Sequence, residues 1–178
     1  NPLQLTGDPA AVLQTTLWVT NTGNCVDTFA LHPTSVWPVD VPATTGALEV
    51  GVGIAVPVTV TIPASALAGD AAATTLAAMS QANAAVRAAA TVTTTANAVY
   101  GVALSPQMAM VSAEPGETAV YTLTLSNTGN AADTYTLVVE GAVWPTTIVP
   151  QTASLAPGEA LTVTAMVTVP VATAASLD

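Results

Sequence analysis

Few residues of this chain could carry out chemistry, and they are spread thinly along it. Among its 178 residues there is one histidine, one cysteine and one basic side chain, at His32, Cys25 and Arg87. A catalytic nucleophile needs a base beside it and a third group that orients the base. Cys25 and His32 are near enough in sequence to pair, but no orienting group accompanies them. We therefore predict no catalytic residues and no enzymatic activity.

A second set of polar residues could bind a cation. Asn21, Asn24 and Asp27 carry oxygen ligands of the kind that Ca²⁺ accepts. The same types recur later, at Asn127, Asn130 and Asp133. One carboxylate per cluster is little charge for Ca²⁺, whereas Asn and Asp commonly hydrogen-bond the backbone of turns. We favour the turn interpretation and predict neither a metal site nor a cofactor.

The charge balance restricts the partners. The formal net charge is −10, and only 7% of residues are charged, against about a quarter in ordinary soluble domains. One basic side chain cannot neutralise many phosphates, so we predict no nucleic-acid partner. The chain has almost no site for trypsin-like proteases, which is typical of extracellular or cell-surface material. No apolar run approaches the roughly 18 residues of a membrane-spanning helix.

The chain contains two copies of one unit. Asn-Thr-Gly-Asn at 21–24 recurs at 127–130, a shift of 106 positions. After a slip of one residue the matches continue with Trp37 and Trp144, Leu48 and Leu155, Gly51 and Gly158, and Pro63 and Pro170. Ordered matches over about 50 residues indicate an internal repeat. We predict two domains, 1–96 and 97–178.

Each copy has the pattern of short strands joined by turns, which is typical of a β-sandwich. The inward residues of one predicted strand are Leu13, Thr15, Leu17 and Val19, and those of another are Ile54, Val56, Val58, Val60 and Ile62. Such alternation predicts half-buried strands. Phe29 and Leu31 are also expected inside. Pro57 points outward and cannot donate a ladder hydrogen bond, so its strand is an edge or is bulged there.

The turns and the alanine-rich region need separate predictions. In the Asn-Thr-Gly-Asn turns, Gly and Asn tolerate positive φ. Alanine between 70 and 98 favours helix, whereas its threonines favour strand. We predict two strands, at about 72–81 and 85–95. A further strand from Tyr100 is broken by Pro106 and is expected to resume at Met108 and Met110.

Two side chains are predicted to lie at an interface, Trp18 and Cys25. Trp18 lies on the outward face of its strand, where the second copy has Thr124. An outward tryptophan suggests contact with a neighbouring domain, chain or glycan. Cys25 is either a buried or half-buried small residue, which we favour, or an interchain bridge. Trp37 and Trp144 are expected to be core or end-cap residues rather than platforms for sugars.

The order of turn and core residues resembles a bacterial immunoglobulin-like repeat family, often found next to the NPCBM domain of glycosidases. In the first copy the resemblance rests on Asn21, Gly23, Asn24, Asp27, Phe29, Trp37, Pro42, Gly51, Pro63 and Gly69. In the second it rests on Asn127, Gly129, Asn130, Asp133, Tyr135, Trp144, Pro150, Gly158 and Pro170. The resemblance implies two tandem immunoglobulin-like β-sandwiches that act as spacers, stalks or adhesive modules, with no catalytic residue to transfer.

The second copy is expected to be an incomplete sandwich. Asp178 matches Asp70, so the last two strands of the first copy have no counterpart. A longer array, a strand inserted by a neighbour, or a smaller sandwich would each explain this, and we favour the array. We predict a non-enzymatic extracellular structural repeat of a bacterial surface filament, layer or stalk, whose partners are further copies or adjacent repeats. The alternative is an accessory carbohydrate- or protein-binding module of a secreted hydrolase.

Overall fold

The structure, a computed structural model, describes residues 3–171. All regular elements in this range are β-strands, as predicted. It contains no helix of the length and apolarity that crossing a membrane requires. Contacts divide the chain into two compact units, one up to Ala98 and one from Val99 onward. The predicted equivalence of Asp178 with Asp70 lies outside the described residues.

The first unit has eight strands within the described range. They are β1 (Leu3–Gly7), β2 (Val12–Thr20), β3 (Asp27–Thr34), β4 (Val39–Asp40), β5 (Thr44–Leu48), β6 (Gly53–Thr61), β7 (Ala71–Ser80) and β8 (Arg87–Ala96). One sheet has the order β1-β8-β7-β3-β5, and the other has the order β2-β6-β4. β1 runs parallel to β8, and the other neighbours are antiparallel.

The core of the first unit lies between these two sheets. Successive side chains of a strand point to opposite faces, so the alternating pattern of β6 places its valines inside. Val58 and Val60 are fully buried. The opposite sheet contributes Phe29, Leu31, Leu48, Leu76 and Ala78. Two sheets that enclose one apolar core form the layers of a β-sandwich.

Two features of β6 follow from the short length of β4. Pro57 pairs with Thr16 of β2 on one side, while β4 reaches only Thr59 and Val60 on the other. Pro57 therefore lies at a locally free edge, as predicted from its missing N–H. The predicted burial of Ile54 is wrong, since its side chain is 38% exposed near the end of β6, beyond the part that β4 flanks.

The alanine-rich stretch forms a hairpin of two strands, and the prediction of strands over helix is confirmed. β7 and β8 pair from Ala71 with Thr95 to Met79 with Arg87. Leu76 and Val92 face the core, whereas the first half of β8 is exposed. Burial against the opposite sheet therefore outweighs the helix propensity of alanine here.

The second unit has six strands within the described range. They are β9 (Val102–Ser105), β10 (Thr118–Asn127), β11 (Asp133–Thr136), β12 (Thr146–Val149), β13 (Thr152–Leu155) and β14 (Ala160–Thr168). The order of one sheet is β12-β14-β10-β9, and β11 pairs with β13 in the other. Asp133 lies opposite Leu155 in the second unit, as Asp27 lies opposite Leu48 in the first. The repeat seen in the sequence thus recurs in the strand pairing.

The second unit encloses its core less completely than the first. In the first unit β3 has β7 on its other side, but no strand in the range 3–171 lies on that side of β11. Leu125, Leu155 and Val163 are still buried. The side chains that remain only half-buried around them are Leu123, Tyr135, Leu137, Ile148 and Leu161.

One further prediction fails in the second unit for the same reason, and the core alternative for Trp144 is excluded while the end-cap alternative stays open. The strand does not resume after Pro106, and Met108 and Met110 are 85% and 93% exposed, because the described residues contain no counterpart of β8, with which β1 pairs. Trp144 is 47% exposed. Trp37, by contrast, packs against a cluster that includes Ala96 of β8.

Candidate functional site

A buried asparagine organises the turn between β2 and β3. Asn21 is 1% exposed, and its side-chain amide donates to the carbonyl oxygens of Cys25 at 2.9 Å and Leu48 at 2.8 Å. Its Oδ1 atom accepts the N–H of Gly23 at 2.9 Å. Asn21 thereby joins the turn to β5. Gly23 does not adopt the positive φ that a glycine would tolerate in this turn.

The second unit repeats this arrangement around Asn127. Its amide donates to the carbonyl oxygens of Ala131 at 2.8 Å and Leu155 at 3.1 Å, and its Oδ1 accepts the N–H of Gly129 at 2.9 Å. Both side chains therefore hydrogen-bond the turn backbone, as the turn interpretation predicted. Within residues 3–171, no group of three or more His, Cys, Asp or Glu side chains is placed to hold a metal ion.

Asp27 joins the start of β3 to the β7–β8 hairpin. Its carboxylate accepts the hydroxyl of Ser80, the N–H of Thr28 at 2.7 Å and the N–H of Ala82 at 3.3 Å. The Ser80 hydroxyl is the main cause of a lowered pKa of Asp27, with smaller contributions from backbone N–H groups. Sequence reasoning missed Ser80, because its contact with Asp27 spans 53 positions.

Replacing Asp27 with asparagine tests this contact. A carboxylate whose pKa is lowered on folding stabilises the fold above its unfolded pKa, near 3.8, and this contribution is lost as the pH falls through the lowered value. We expect the native first unit to lose stability below about pH 4, and Asp27→Asn to lose less. Urea unfolding at pH 7 and pH 3 measures this, with exposed Asp40→Asn as the control. Equal pH dependence in the two variants would contradict the prediction.

In the second unit, the extended segment from Val99 to Ser105, which ends in β9, runs along the outer edge of β10 and its turn. Asn130 donates its N–H to the Val99 carbonyl at 2.9 Å and accepts the Val99 N–H at its Oδ1 at 2.7 Å. The Gly101 carbonyl accepts the N–H of Thr128 at 2.9 Å and the hydroxyl of Tyr135 at 3.0 Å. We call this segment the linker strand.

Two residues of the second unit, Gly129 and Tyr135, accommodate the linker strand. A Cβ on Gly129 would collide with the Val99 carbonyl oxygen and lie 3.0 Å from the Gly101 nitrogen. Gly129 is therefore a glycine because another backbone passes beside it. Burial raises the pKa of the Tyr135 hydroxyl, and the Asp133 carboxylate raises it further. Tyr135 thus stays a neutral donor to Gly101.

The first unit has a groove at the corresponding edge. It encloses about 520 Å³ between β2 and the exposed first half of β8, and its wall includes Val19, Phe29, Leu76 and Val86. Trp18 lies at this groove and is 72% exposed. The arrangement offers apolar side chains beside a strand edge, which suits an extended peptide better than a reacting small molecule.

The remaining predicted site residues lie at the surface. Cys25 also borders the groove and is exposed. The favoured expectation of burial is therefore wrong, because the turn carries Cys25 beyond the ends of the strands. His32 is exposed in β3, and Arg87 is exposed at the start of β8.

Comparisons with known proteins find only distant structural similarity. No protein-family model matches the chain, and no curated protein matches it. A solved structure of a protein of unknown function from Porphyromonas gingivalis W83 is 15% identical, with a TM-score of 0.43 over 94% of this chain and 80% of that one.

Two other solved structures are similar at this level. The secreted serine protease VesC from Vibrio cholerae is 12% identical, with a TM-score of 0.38 over 94% of this chain and 45% of its own. The CsuC–CsuE chaperone–tip adhesion subunit pre-assembly complex, from the archaic chaperone–usher Csu pili of Acinetobacter baumannii, is 10% identical. Its TM-score is 0.38 over 98% of this chain and 87% of the matched chain. The fold described above rests on strand pairing and burial alone.

Proposed function

We propose that this protein is a non-enzymatic structural repeat of a bacterial surface filament, layer or stalk, made of two immunoglobulin-like sandwiches. The observation that carries the proposal is the half-covered core of the second unit. Leu31 is 4% exposed in the first unit, whereas its counterpart Leu137 is only half-buried. A core side chain that keeps contact with water forgoes part of its stabilisation, about 25 cal/mol for each Å² left exposed.

The partner that fits this face is a further copy or an adjacent repeat. In the first unit, Thr28 and Ala30 of β3 face β7, and Gln81 donates its N–H to the Thr28 carbonyl at 2.9 Å. The matching positions of β11 are Thr134 and Thr136. Their backbone is directed to the side where the described residues supply no strand. An unpaired edge beside an apolar face favours the addition of a strand.

An extracellular location is part of the proposal and is supported by composition. With eleven acidic residues and one basic residue, the chain offers trypsin-like proteases almost no cleavage site. The outward positions of β7 and β8 are mostly alanine and threonine, and Arg87 is their one charged residue. Such a surface suits a material that sets distances outside the cell and resists proteolysis.

Association in solution tests the proposal. We expect the purified chain to self-associate with increasing concentration in sedimentation velocity, and to form ordered polymers in electron microscopy. Thr136→Pro removes a backbone donor from the free side of β11 and should reduce association. Thr152→Ala is the control, because Thr152 is exposed on β13 and its substitution leaves the free side of β11 unchanged.

The opposite outcome identifies the alternative function. If the chain stays monomeric at every concentration and Thr136→Pro behaves as the native protein does, the structural role is wrong. If such monomers also bind a polysaccharide and Trp18→Ala removes the binding, the protein is an accessory binding module of a secreted hydrolase.

A further inference from the structure

We propose that the outward side of the five-stranded sheet in the first unit packs against the same surface of a second copy of this chain. The inference rests on the proposed function for the presence of neighbouring copies, and it names a lateral contact between them. It concerns a different surface from the β11 edge. We call this surface the outer face, defined by the outward residues of β1, β8, β7, β3 and β5.

Strand alternation determines which side chains form the outer face. Leu76 and Val92 are buried in the core, so the residues next to them along β7 and β8 point away from it. The register of the β7–β8 pair sets these outward residues opposite one another in three central rows. The centre of the face consists of Ala73, Thr75, Ala77, Ala89, Thr91 and Thr93.

The exposure of this face does not come from an absent strand. β7 is paired on both sides, with β8 and with β3, and β8 is paired with β1 from Val92 onward. Side chains that point away from the core face solvent even where every neighbouring strand is present. The free surface is therefore a property of the sheet itself.

The outer face carries no acidic side chain, although the chain has a net charge of −10. The acidic residues of the first unit lie in turns or at the first or last residue of a strand, at Asp8, Asp27, Asp40, Glu49 and Asp70. Of these, only Asp27 belongs to a strand of this sheet, and its carboxylate bonds the buried Ser80. Two copies can therefore meet at the outer face without bringing carboxylates together, whereas other approaches are opposed by repulsion.

The two basic or titratable side chains of this face lie at its margins. Arg87 is the first residue of β8. His32 lies on β3 beyond Ala30, where the pairing with β5 ends. Both side chains can keep contact with water while the uncharged centre is covered. Depletion of charge at the centre with a polar rim is the usual anatomy of a protein–protein interface.

The side chains at the centre cost little to bury. Alanine has no polar side-chain atom and loses no side-chain entropy. Thr75 and Thr91 are cross-strand neighbours whose hydroxyls hydrogen-bond each other at 3.1 Å, so part of their hydrogen-bonding capacity is satisfied before any partner arrives. Covering this centre with a second sheet therefore strands few polar groups.

The area of the outer face suits a specific but weak contact. Strands about 4.8 Å apart, with outward residues about 6.8 Å apart along each strand, give about 600 Å² on each copy. Two such faces bury about 1,200 Å² in total, the lower end of the range for specific interfaces. Several such contacts within one array would strengthen one another.

A second copy fits this face better than other partners do. A single arginine cannot neutralise a polyanion, and the outward residues of β7 and β8 include no aromatic ring on which a sugar could stack. A surface that is neutral at its centre can meet its own copy, since one patch then serves both partners in an isologous contact.

Sedimentation equilibrium of the whole protein carrying Thr136→Pro tests the proposal, because that substitution weakens association through β11. We expect this variant to form dimers, with NMR amide shifts on dilution confined to the five-stranded sheet. Ala73 is exposed, and adding Ala73→Asp should weaken the dimer at least about tenfold by burying a charge at the centre of the face. Adding Thr16→Asp places the same charge on the exposed side of β2 and should leave dimerisation unchanged.

Salt dependence separates this contact from an ionic one. Raising NaCl from about 20 mM to about 500 mM screens the repulsion between like-charged copies, so the dimer should tighten. Weakening of the dimer by salt, or equal dimerisation of the Ala73→Asp and Thr16→Asp variants, would overturn the proposal. If the native protein polymerises and the Thr136→Pro variant is monomeric, only this face is wrong. If dimers form through the face and the native protein assembles no further, the face stands and the structural role is lost.

Discussion

Replacing Asn21 with alanine is expected to destabilise the first unit by about 3 kcal/mol, the upper end of the cost of about 1–3 kcal/mol for a buried polar group left unpaired. The substitution strands the carbonyls of Cys25 and Leu48 and the N–H of Gly23. The Leu48 bond lies in a buried position, where water cannot easily replace the amide. Urea unfolding followed by far-UV circular dichroism measures the loss.

Asn24→Ala is the matched control, because Asn24 lies in the same turn but is exposed. Its substitution should change stability by no more than about 0.5 kcal/mol. If Asn21→Ala costs as little as Asn24→Ala, water satisfies the turn carbonyls and Asn21 does not organise the turn.

The second unit offers an independent repetition of the test. Asn127 makes the same three bonds and is 1% exposed. Asn127→Ala should therefore destabilise the second unit by a similar amount, about 3 kcal/mol. Hydrogen exchange resolved by unit assigns each loss, since local protection reports the unit in which opening becomes easier. If Asn127→Ala reduced protection only in the first unit, or Asn21→Ala only in the second, the structural role given to each asparagine would be contradicted.

The features that could be predicted from the sequence are those that depend only on residues close together along the chain. Alternation along Val56, Val58 and Val60 places them inside, because a strand has only two faces. Repetition of Asn-Thr-Gly-Asn located both turns, and the backbone-bonding role of Asn21 follows from the chemistry of a short amide next to a turn. Such properties depend on neighbours within a few positions.

Exposure of Cys25 aside, the features that sequence reasoning missed depend on distant partners. A core position for Trp144 would have required a surface like the one that Ala96 helps to form in the first unit. The strand expected at Met108 and Met110 lacked a counterpart of β8 to pair with. Gly129 lies in the turn as predicted, but its lack of a side chain also leaves room for the backbone of Val99, which the turn pattern did not indicate. Periodicity gives the inward face of a strand but not the element that covers it.

Leu31→Ala and Leu137→Ala should differ sharply in cost, although both remove the same atoms at equivalent positions. Leu31 is 4% exposed and packs in the main core cluster. Its truncation should cost about 3 kcal/mol, within the range for a buried leucine. Leu137 is only half-buried, so its truncation should cost about 1 kcal/mol, as fewer contacts are lost. Unit-resolved hydrogen exchange measures both.

Leu48 and Leu155 provide the control, because they are 5% and 3% exposed and lie at equivalent strand ends. Their alanine variants should each cost about 3 kcal/mol in their own units. Equal costs for Leu31→Ala and Leu137→Ala would mean that the second unit covers its core without help. If a neighbouring repeat does cover that face, the cost of Leu137→Ala must rise on assembly while that of Leu155→Ala stays constant. The difference arises because only the half-buried side chain has surface left to bury.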